Sequence, residues 1–276
     1  MKKILEVTGL SKIYGNGCPL CIEATGPERD TNLCPHCGSV VAAHDVDLEL
    51  GEGEILGIMG ESGSGKSTLV KLLYFDETPT GGRAVFFEDG QEHDLFALNA
   101  ARQRRMRNQR FGMVYQNPHL GLNFNISAGG NIAERLLMTD MDHYGDIRGR
   151  ARELLARTEV MLERMDESPR KFSGGMQQRV QIAKALATHP PLLFLDEVTT
   201  GLDLSVQACI LDLILEIQQE LRTAMIVVTH DLGVIRLLAG RTIVMKYGRI
   251  IETGLTDQIL EDPQHAYTQR LVASSL

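Results

Sequence analysis

The sequence predicts an α/β fold built around a phosphate-binding loop, and three observations point to it. Gly60-Glu61-Ser62-Gly63-Ser64-Gly65-Lys66-Ser67-Thr68 fits the G-x-x-x-x-G-K-[ST] pattern in full. It stands between an apolar run, Glu54–Met59, and a helical one, Leu69–Leu73, which is the context the pattern requires. A second apolar run, Leu192–Leu195, closes on two carboxylates, Asp196 and Glu197. Phe111–Gln116 and Thr223–Thr229 are two more short apolar runs, separated by stretches of helical periodicity. Short buried strands alternating with helices imply a largely parallel sheet.

Composition limits the alternatives. With 276 residues, 43% of them hydrophobic, the chain can form a real core, and one domain over 1–276 is expected. A net charge of −8 and the absence of Trp make it a poor general binder of nucleic acid, so no nucleic-acid partner is expected. No apolar run reaches the eighteen residues or so of a membrane span. Met1–Val7 lacks the apolar core and cleavage site of a signal peptide, so a cytoplasmic protein is expected.

Along the chain, Ile4–Val7 and the residues up to Tyr14 suggest an edge strand and a turn. The Tyr14 ring either packs in the core or stacks on a base. Cys18-Pro19-Leu20-Cys21 and Cys34-Pro35-His36-Cys37 then give C-x₂-C twice. Four thiolates so spaced complete a tetrahedral structural Zn²⁺ site, in a zinc-ribbon-like insertion over 15–40. An iron–sulfur cluster or a redox dithiol pair is the other reading, and His36 can replace one thiolate. Four protein ligands leave no open position for catalysis.

Val40–Leu50 is a second strand and Gly51–Glu54 a turn into the strand before the loop. In the loop the glycines turn backbone N–H groups toward phosphate oxygens, and the following helix adds positive charge. Lys66 is placed to reach the β- and γ-phosphates and Ser67 to ligate Mg²⁺. Thr78–Gly82 is a turn and Arg83–Glu88 a short strand. Arg102, Arg104, Arg105, Arg107 and Arg110 form the solvated face of a helix rather than a phosphate patch. Residues 117–172 have the pattern of a helical subdomain, with helices over Asn131–Met138 and Ile147–Arg164.

Ser173 is a good N-cap for a helix continuing through Val180–Thr188. The Gly174 and Gly175 N–H groups with the Ser173 hydroxyl make a second phosphate-binding surface. Asp196 is placed to hold Mg²⁺ through water, and Glu197 to take a proton from the attacking water or orient it. Gly201-Leu202-Asp203 is a turn. His230, at the carboxyl end of the strand Thr223–Thr229, stands where ligands bind in open α/β sheets and can donate to a γ-phosphate oxygen. Arg241–Lys246 and Arg249–Gly254 form a hairpin, followed by helices at Gln258–Leu260 and Tyr267–Ser275.

Taken in order, these residues resemble an ATP-binding-cassette ATPase over nearly the whole chain. Such a cassette has a RecA-like core, an antiparallel β subdomain and a helical subdomain. The resemblance makes Tyr14 the ring that stacks on adenine, Gly60–Ser67 the Walker A loop and Gln116 the Q-loop residue beside Mg²⁺. It makes Ser173–Gln177 the signature, Leu192–Asp196 the Walker B strand, Glu197 the catalytic carboxylate, Asp203 the D-loop residue and His230 the switch histidine. Lys66 and Gln116 join Glu197 and His230 as catalytic groups. It further implies a head-to-tail dimer on ATP, each nucleotide lying between the Walker A loop of one copy and the signature serine of the other.

Two departures stand out. The cysteine segment is extra, and it lengthens the gap between Tyr14 and Gly60. Val198 stands where the family usually has proline, which would preset the turn after Glu197. A finer resemblance, carried by Ser127–Leu136, His143–Arg148, Phe172–Arg179 and Thr229–Val234, is to ATP-binding subunits associated with the bacterial carbon–phosphorus lyase. It implies docking on lyase core subunits in phosphonate catabolism. The alternative is an oligopeptide or dipeptide importer ATPase with membrane-embedded partner subunits, which the tail Asp262–Leu271 also resembles. Many such importers extend beyond this tail, whereas this sequence ends at Leu276.

Overall fold

The structure is a computed structural model and describes residues 2–139 and 141–274. β1 (Lys3–Tyr14) and β2 (Val40–Gly51) run antiparallel, from Leu5 opposite Leu50 to Tyr14 opposite Val40. The cysteine segment therefore leaves and rejoins the sheet at paired positions, and Tyr14 keeps its place beside β2. β3 (Ile55–Met59) is buried throughout and leads through the glycine loop into α1 (Lys66–Leu73). β4 (Gly81–Glu88) and β5 (Gln91–Asp94) form a hairpin whose turn residues, Asp89 and Gly90, both have positive φ, 49° and 78°. Such a turn matches the twist of the strands it joins. The sheet order is β2-β1-β4-β5. β1 is thus an interior strand rather than the expected edge, because β4 pairs along its other side (Leu5 with Phe86, Val7 with Ala84).

α2 (Ala100–Gln109) carries the arginine run and has no buried residue, in keeping with a solvated helix. β6 (Phe111–Val114) is buried throughout and is followed by α3 (Pro118–Gly121), α4 (Ala128–Leu136) and α5 (Tyr144–Arg157). α4 begins earlier than its apolar periodicity suggests because the Ser127 hydroxyl accepts from the Gly130 N–H at 3.0 Å and caps it. α5 stops at Arg157 instead of running to Arg164. The Thr158 hydroxyl folds back onto the Leu154 carbonyl at 3.0 Å, and Glu159 turns left-handed with φ 54°. A separate 3₁₀ turn, Leu162–Arg164, follows.

α6 (Gly174–Ala185), β7 (Leu192–Asp196), α7 (Leu204–Leu221), β8 (Ala224–Val228) and α8 (Leu232–Leu238) come next. The chain ends with β9 (Arg241–Lys246), β10 (Arg249–Leu255), α9 (Thr256–Glu261) and α10 (Ala266–Ala273). Ser275, the expected end of the last helix, lies outside the described residues.

The chain forms two compact units, Met1–Gln103 with Ile226–Leu276, and Arg104–Met225. In the first, β3 pairs in parallel with β9, and β10 pairs antiparallel with β9. Met59, Val244, Ile259, Leu260 and Tyr267 form a cluster that seats α9 and α10 on these strands. In the second, β6 and β7 pair in parallel, with Phe111 opposite Leu192 and Val114 opposite Leu195. Phe111 meets Phe194 edge-on with ring centroids 5.8 Å apart, a geometry worth about 0.5–1.5 kcal/mol beyond its buried area. Arg135 is buried and donates to the Phe111 carbonyl at 2.6 Å and the Arg107 carbonyl at 3.1 Å, tying α4 to the start of β6. Among the described residues no helix is long and apolar enough to cross a membrane.

Asn131 is fully buried in α4 and pins the loop before it. It accepts from the Asn123 N–H at 2.8 Å and donates to the Asn123 and Ser127 carbonyls at 3.0 Å. Asn131→Leu keeps the volume but strands these backbone groups. It is expected to lower stability by ~2–4 kcal/mol in urea unfolding followed by circular dichroism; a loss below about 1 kcal/mol would show that solvent reaches the loop.

Candidate functional site

In the first unit the glycine loop is shaped by what surrounds it. Gly60 has φ 148°, and a Cβ there would lie 2.2 Å from the Met245 carbonyl oxygen. Gly65 has φ 105°, and a Cβ there would lie 2.1 Å from the Ala42 carbonyl oxygen. Only glycine fits where backbone approaches backbone so closely. Gly65 caps α1, whose first bond runs from the Leu69 N–H to the Gly65 carbonyl at 3.0 Å. The N–H groups of Lys66, Ser67 and Thr68 thus precede the helical ladder, at the positive end of the helix. Lys66 is 5% exposed and donates to the Gly60 and Glu61 carbonyls at 2.7 and 2.8 Å, with the Ser64 hydroxyl at 3.4 Å. A buried ammonium ringed by the loop's own backbone is a cradle for a polyanion.

The outer turn, Glu61, Ser62 and Gly63, is exposed. Two groups outside the motif reach it: the Tyr267 hydroxyl accepts from the Glu61 N–H at 3.0 Å, and the Asn32 amide donates to the Gly63 carbonyl at 3.2 Å. Burial raises the Tyr267 pKa, so the phenol stays protonated. Tyr14 pairs with Val40, two residues from the Ala42 that abuts Gly65, and the Lys12 ammonium lies 4.8 Å from its ring centroid. His230 follows β8, whose neighbour in this unit is β3. The Thr229 N–H donates to the Ile58 carbonyl at 3.3 Å, so His230 is exposed one residue beyond, level with the start of the loop.

The four cysteines of the insertion converge. Their sulfurs all lie within 4.8 Å of one another. Cys18 is 3.7 Å from Cys34, Cys21 is 3.6 Å from Cys18, and Cys21 is 3.4 Å from Cys37. A tetrahedron with metal–sulfur bonds of about 2.3 Å has edges of about 3.8 Å, so the set fits one metal ion. The Ser39 hydroxyl and then its N–H hold the Cys37 thiol down at about 6. Cys21 receives the Cys18 N–H at 3.1 Å, which favours its thiolate. Burial and the sulfurs of Cys37, Cys18 and Cys34 outweigh that bond and push its pKa up to about 12. Four sulfurs crowded together without a cation cannot all ionise.

In the second unit strand register sets the geometry. Val114 pairs with Leu195, so the chains leaving β6 and β7 emerge side by side. Two residues on from each, the Gln116 amide lies 3.5 Å from a Glu197 carboxylate oxygen. Asp196, 4% exposed, immediately precedes Glu197. Glu197 has φ 49°, uncommon for a residue with a side chain, and the Thr200 hydroxyl donates to the same carboxylate oxygen at 2.9 Å. Val198, in place of the family's proline, is buried.

The Ser173 hydroxyl accepts from the Met176 N–H at 3.3 Å and caps α6, with Ser173 and Gly174 exposed. Gln177 donates to the Pro169 and Phe172 carbonyls at 3.1 Å, fixing the approach to that cap. Gly175 leaves room for Val206 of α7. Asp203 caps α7, and the Ser205 hydroxyl and the Val206 N–H hold its carboxyl below the usual range.

Sequence reading missed the residues that position these groups. Gln181, 1% exposed, accepts from the Tyr115 N–H at 2.8 Å and returns its amide to the Tyr115 carbonyl at 3.0 Å, fixing the peptide before Gln116. The signal was present in Gln178 and Gln181, two amides three residues apart on one buried helix face. Asn32 and Tyr267 carried no such signal.

Comparison with known proteins accords with this geometry. A family model described as ABC transporter matches residues 43–200. The phosphonates-utilization ATP-binding protein PhnK of Escherichia coli (strain K12) is 51% identical over 232 residues, 84% of this chain and 90% of that protein. The oligopeptide transport ATP-binding protein OppD of Bacillus subtilis (strain 168) is 40% identical over 86% of this chain and 67% of its own length. Among solved structures, the dimeric post-hydrolysis state of the ATP-binding cassette MJ0796 bound to ADP and Pi superposes with a TM-score of 0.77. It is 28% identical, covering 92% of this chain and 99% of that one.

Proposed function

The chain belongs to the ABC transporter family of ATP-binding cassettes and is an ATP-hydrolysing enzyme; on that premise we propose how its residues act and on what. The exits of β6 and β7 carry the reading: a carboxylate, Glu197, held 3.5 Å from an amide, Gln116, next to a buried aspartate. Lys66, with the N–H groups of Gly63 and of Gly65 to Thr68, takes the phosphates. Ser67, Asp196 and Gln116 are the groups for Mg²⁺, which neutralises phosphate charge when bound. Glu197 orients or deprotonates the attacking water, and His230 donates to the γ-phosphate. Tyr14 carries the adenine. A second copy supplies Ser173, Gly174, Gly175 and Gln177 at the open end of α6, with Asp203 beside it, so the working unit is a homodimer on ATP.

The partner reading is the lyase. Identity to PhnK is higher, and covers more of that protein, than identity to OppD. A groove of about 310 Å³ in the second unit is lined by Ser127, Gly130, Ala133, Tyr144, Arg148 and Asp166. Most of these lie in the stretches carrying the finer resemblance, and we place the docked partner there. ATP turnover then drives a conformational step of the complex in phosphonate catabolism, in the cytoplasm. The four cysteines hold structural Zn²⁺. Their spacing suits one ion, whereas a cluster of irons needs its thiolates farther apart and a disulfide needs about 2.05 Å.

Glu197→Gln is expected to bind ATP and release phosphate at least about a hundredfold more slowly; near-normal turnover would place the base elsewhere. The isolated chain is expected to carry about one zinc by atomic absorption and to lose it on Cys34→Ser. No zinc in the isolated chain, with the fold unchanged in that variant, would remove the metal reading. From cells grown on a phosphonate, the chain is expected to co-purify with soluble lyase subunits; recovery with membrane subunits instead would favour the importer reading.

A further inference from the structure

We propose that Asn32 and Tyr267 are positioning residues of the phosphate loop, and that the cysteine knuckle holds Asn32 in place, so that metal and nucleotide binding are linked. The second half rests on the zinc reading above; the first does not. The exposed turn Glu61–Gly63 closes on itself through the Ser64 N–H to the Glu61 carbonyl at 3.1 Å. Its two ends are gripped from outside. At one end, the peptide joining Gly60 to Glu61 gives its N–H to the Tyr267 hydroxyl at 3.0 Å and its carbonyl to Lys66 at 2.7 Å. At the other, the Gly63 carbonyl receives the Asn32 amide at 3.2 Å. A phosphate cradle works only while its N–H groups face the anion, and the direction of those inside the turn is set by the two peptides that bound it. Both grips fix these bounding peptides, and neither belongs to the glycine motif.

Both grips lead back to the insertion. Asn32 stands two residues before Cys34, and its carbonyl accepts the Val41 N–H at 2.8 Å. The Cys34 N–H in turn donates to the Ser39 carbonyl at 2.8 Å, closing the knuckle behind it. Asp30, on the same segment, pairs with the Lys246 ammonium at 2.6 Å, and that ammonium lies 5.1 Å from the Tyr267 ring centroid. Arg249 adds a bond to the Ile22 carbonyl at 3.0 Å. The excursion therefore touches one end of the turn directly through Asn32 and the other through Asp30, Lys246 and Tyr267. A loop ordered in advance binds more tightly because less is ordered on binding.

The test uses the full chain carrying its metal, with dissociation constants for a fluorescent ATP analogue and Mg²⁺ measured by titration. Asn32→Ala and Tyr267→Phe, which keeps the buried ring, are each expected to bind about threefold to tenfold more weakly, as the loss of one hydrogen bond predicts. Asn32→Asp has the same shape but no N–H to donate, and should bind at least as weakly as Asn32→Ala. The nucleotide-free melting temperature of the Asn32 variants should match the parent's, and Glu28→Ala on the same excursion should bind normally. Stripping zinc with a chelator should weaken the parent at least as much as Asn32→Ala, and should weaken Asn32→Ala by no more than about a further twofold. By reciprocity, nucleotide should tighten zinc binding, so that more chelator is needed at equilibrium to remove half of the metal. Parent-like binding by Asn32→Ala, Asn32→Asp and Tyr267→Phe would overturn the positioning roles. Unchanged binding after zinc is stripped, with Asn32→Ala still weak, would overturn the link to the knuckle. A chain isolated without zinc would end the metal reading while the three variants still decide the grip.

Discussion

The structure depends on how closely backbone packs on backbone around the phosphate loop. Gly65 lies against the Ala42 carbonyl of β2, and Gly60 against the Met245 carbonyl of β9. Gly248 adds an N–H to the Ser64 carbonyl at 2.9 Å. The loop is therefore cast between two segments far apart in sequence, β2 and the hairpin of β9 and β10. Lys66, folded in at its centre, gives positive charge to a space already walled by dipoles. A binding site of this kind costs little to order when ligand arrives, since the chain has already lost that freedom in folding.

Strand register does the equivalent work in the second unit. Because β6 and β7 are parallel and in step, Gln116 and Glu197 need only follow their strands to meet. Gln181 fixes the peptide ahead of Gln116, and Thr200 holds the Glu197 carboxylate. The positive φ of Glu197 is a cost of order 1–3 kcal/mol, and the burial of Val198 and the bond from Thr200 oppose relaxation. Proline is one way to preset this turn; here packing of Val198 and a threonine hydroxyl do so.

Much of this was legible in the sequence, for identifiable reasons. The apolar runs before Gly60, before Gln116 and ending at Asp196 are strands wherever they are placed, because each is buried from end to end. The glycine motif has one geometry. The paired C-x₂-C spacing anticipated sulfurs that converge. What escaped was set by partners distant in sequence. β1 reads as an edge until β4 returns to it, and β5 is a polar strand that owes its existence to the Asp89-Gly90 turn. The end of α5 is fixed by a single hydroxyl, on Thr158, where periodicity would have carried on. Asn32 lies between the two C-x₂-C pairs and Tyr267 in the C-terminal tail, both outside the glycine motif, and they reach the loop only once the chain has folded.

The cysteine insertion is the part least able to order itself by packing. Its apolar contacts are few, Cys21 and Cys34 against Val41 with Ile13, Ile22 and Ala24 beside them. An excursion that begins and ends at adjacent sheet positions has little loop entropy removed by its ends alone. Small segments with too little core need a covalent or metal staple to hold a shape. Cys18 and Cys21 are driven toward the neutral thiol by burial and by their neighbours, a conflict that a bound cation resolves at once. The same segment carries Asp30 and Asn32 to the phosphate loop, so whatever orders the sulfurs also orders those contacts. A surface excursion without a core of its own thereby becomes part of the wall around the phosphate loop.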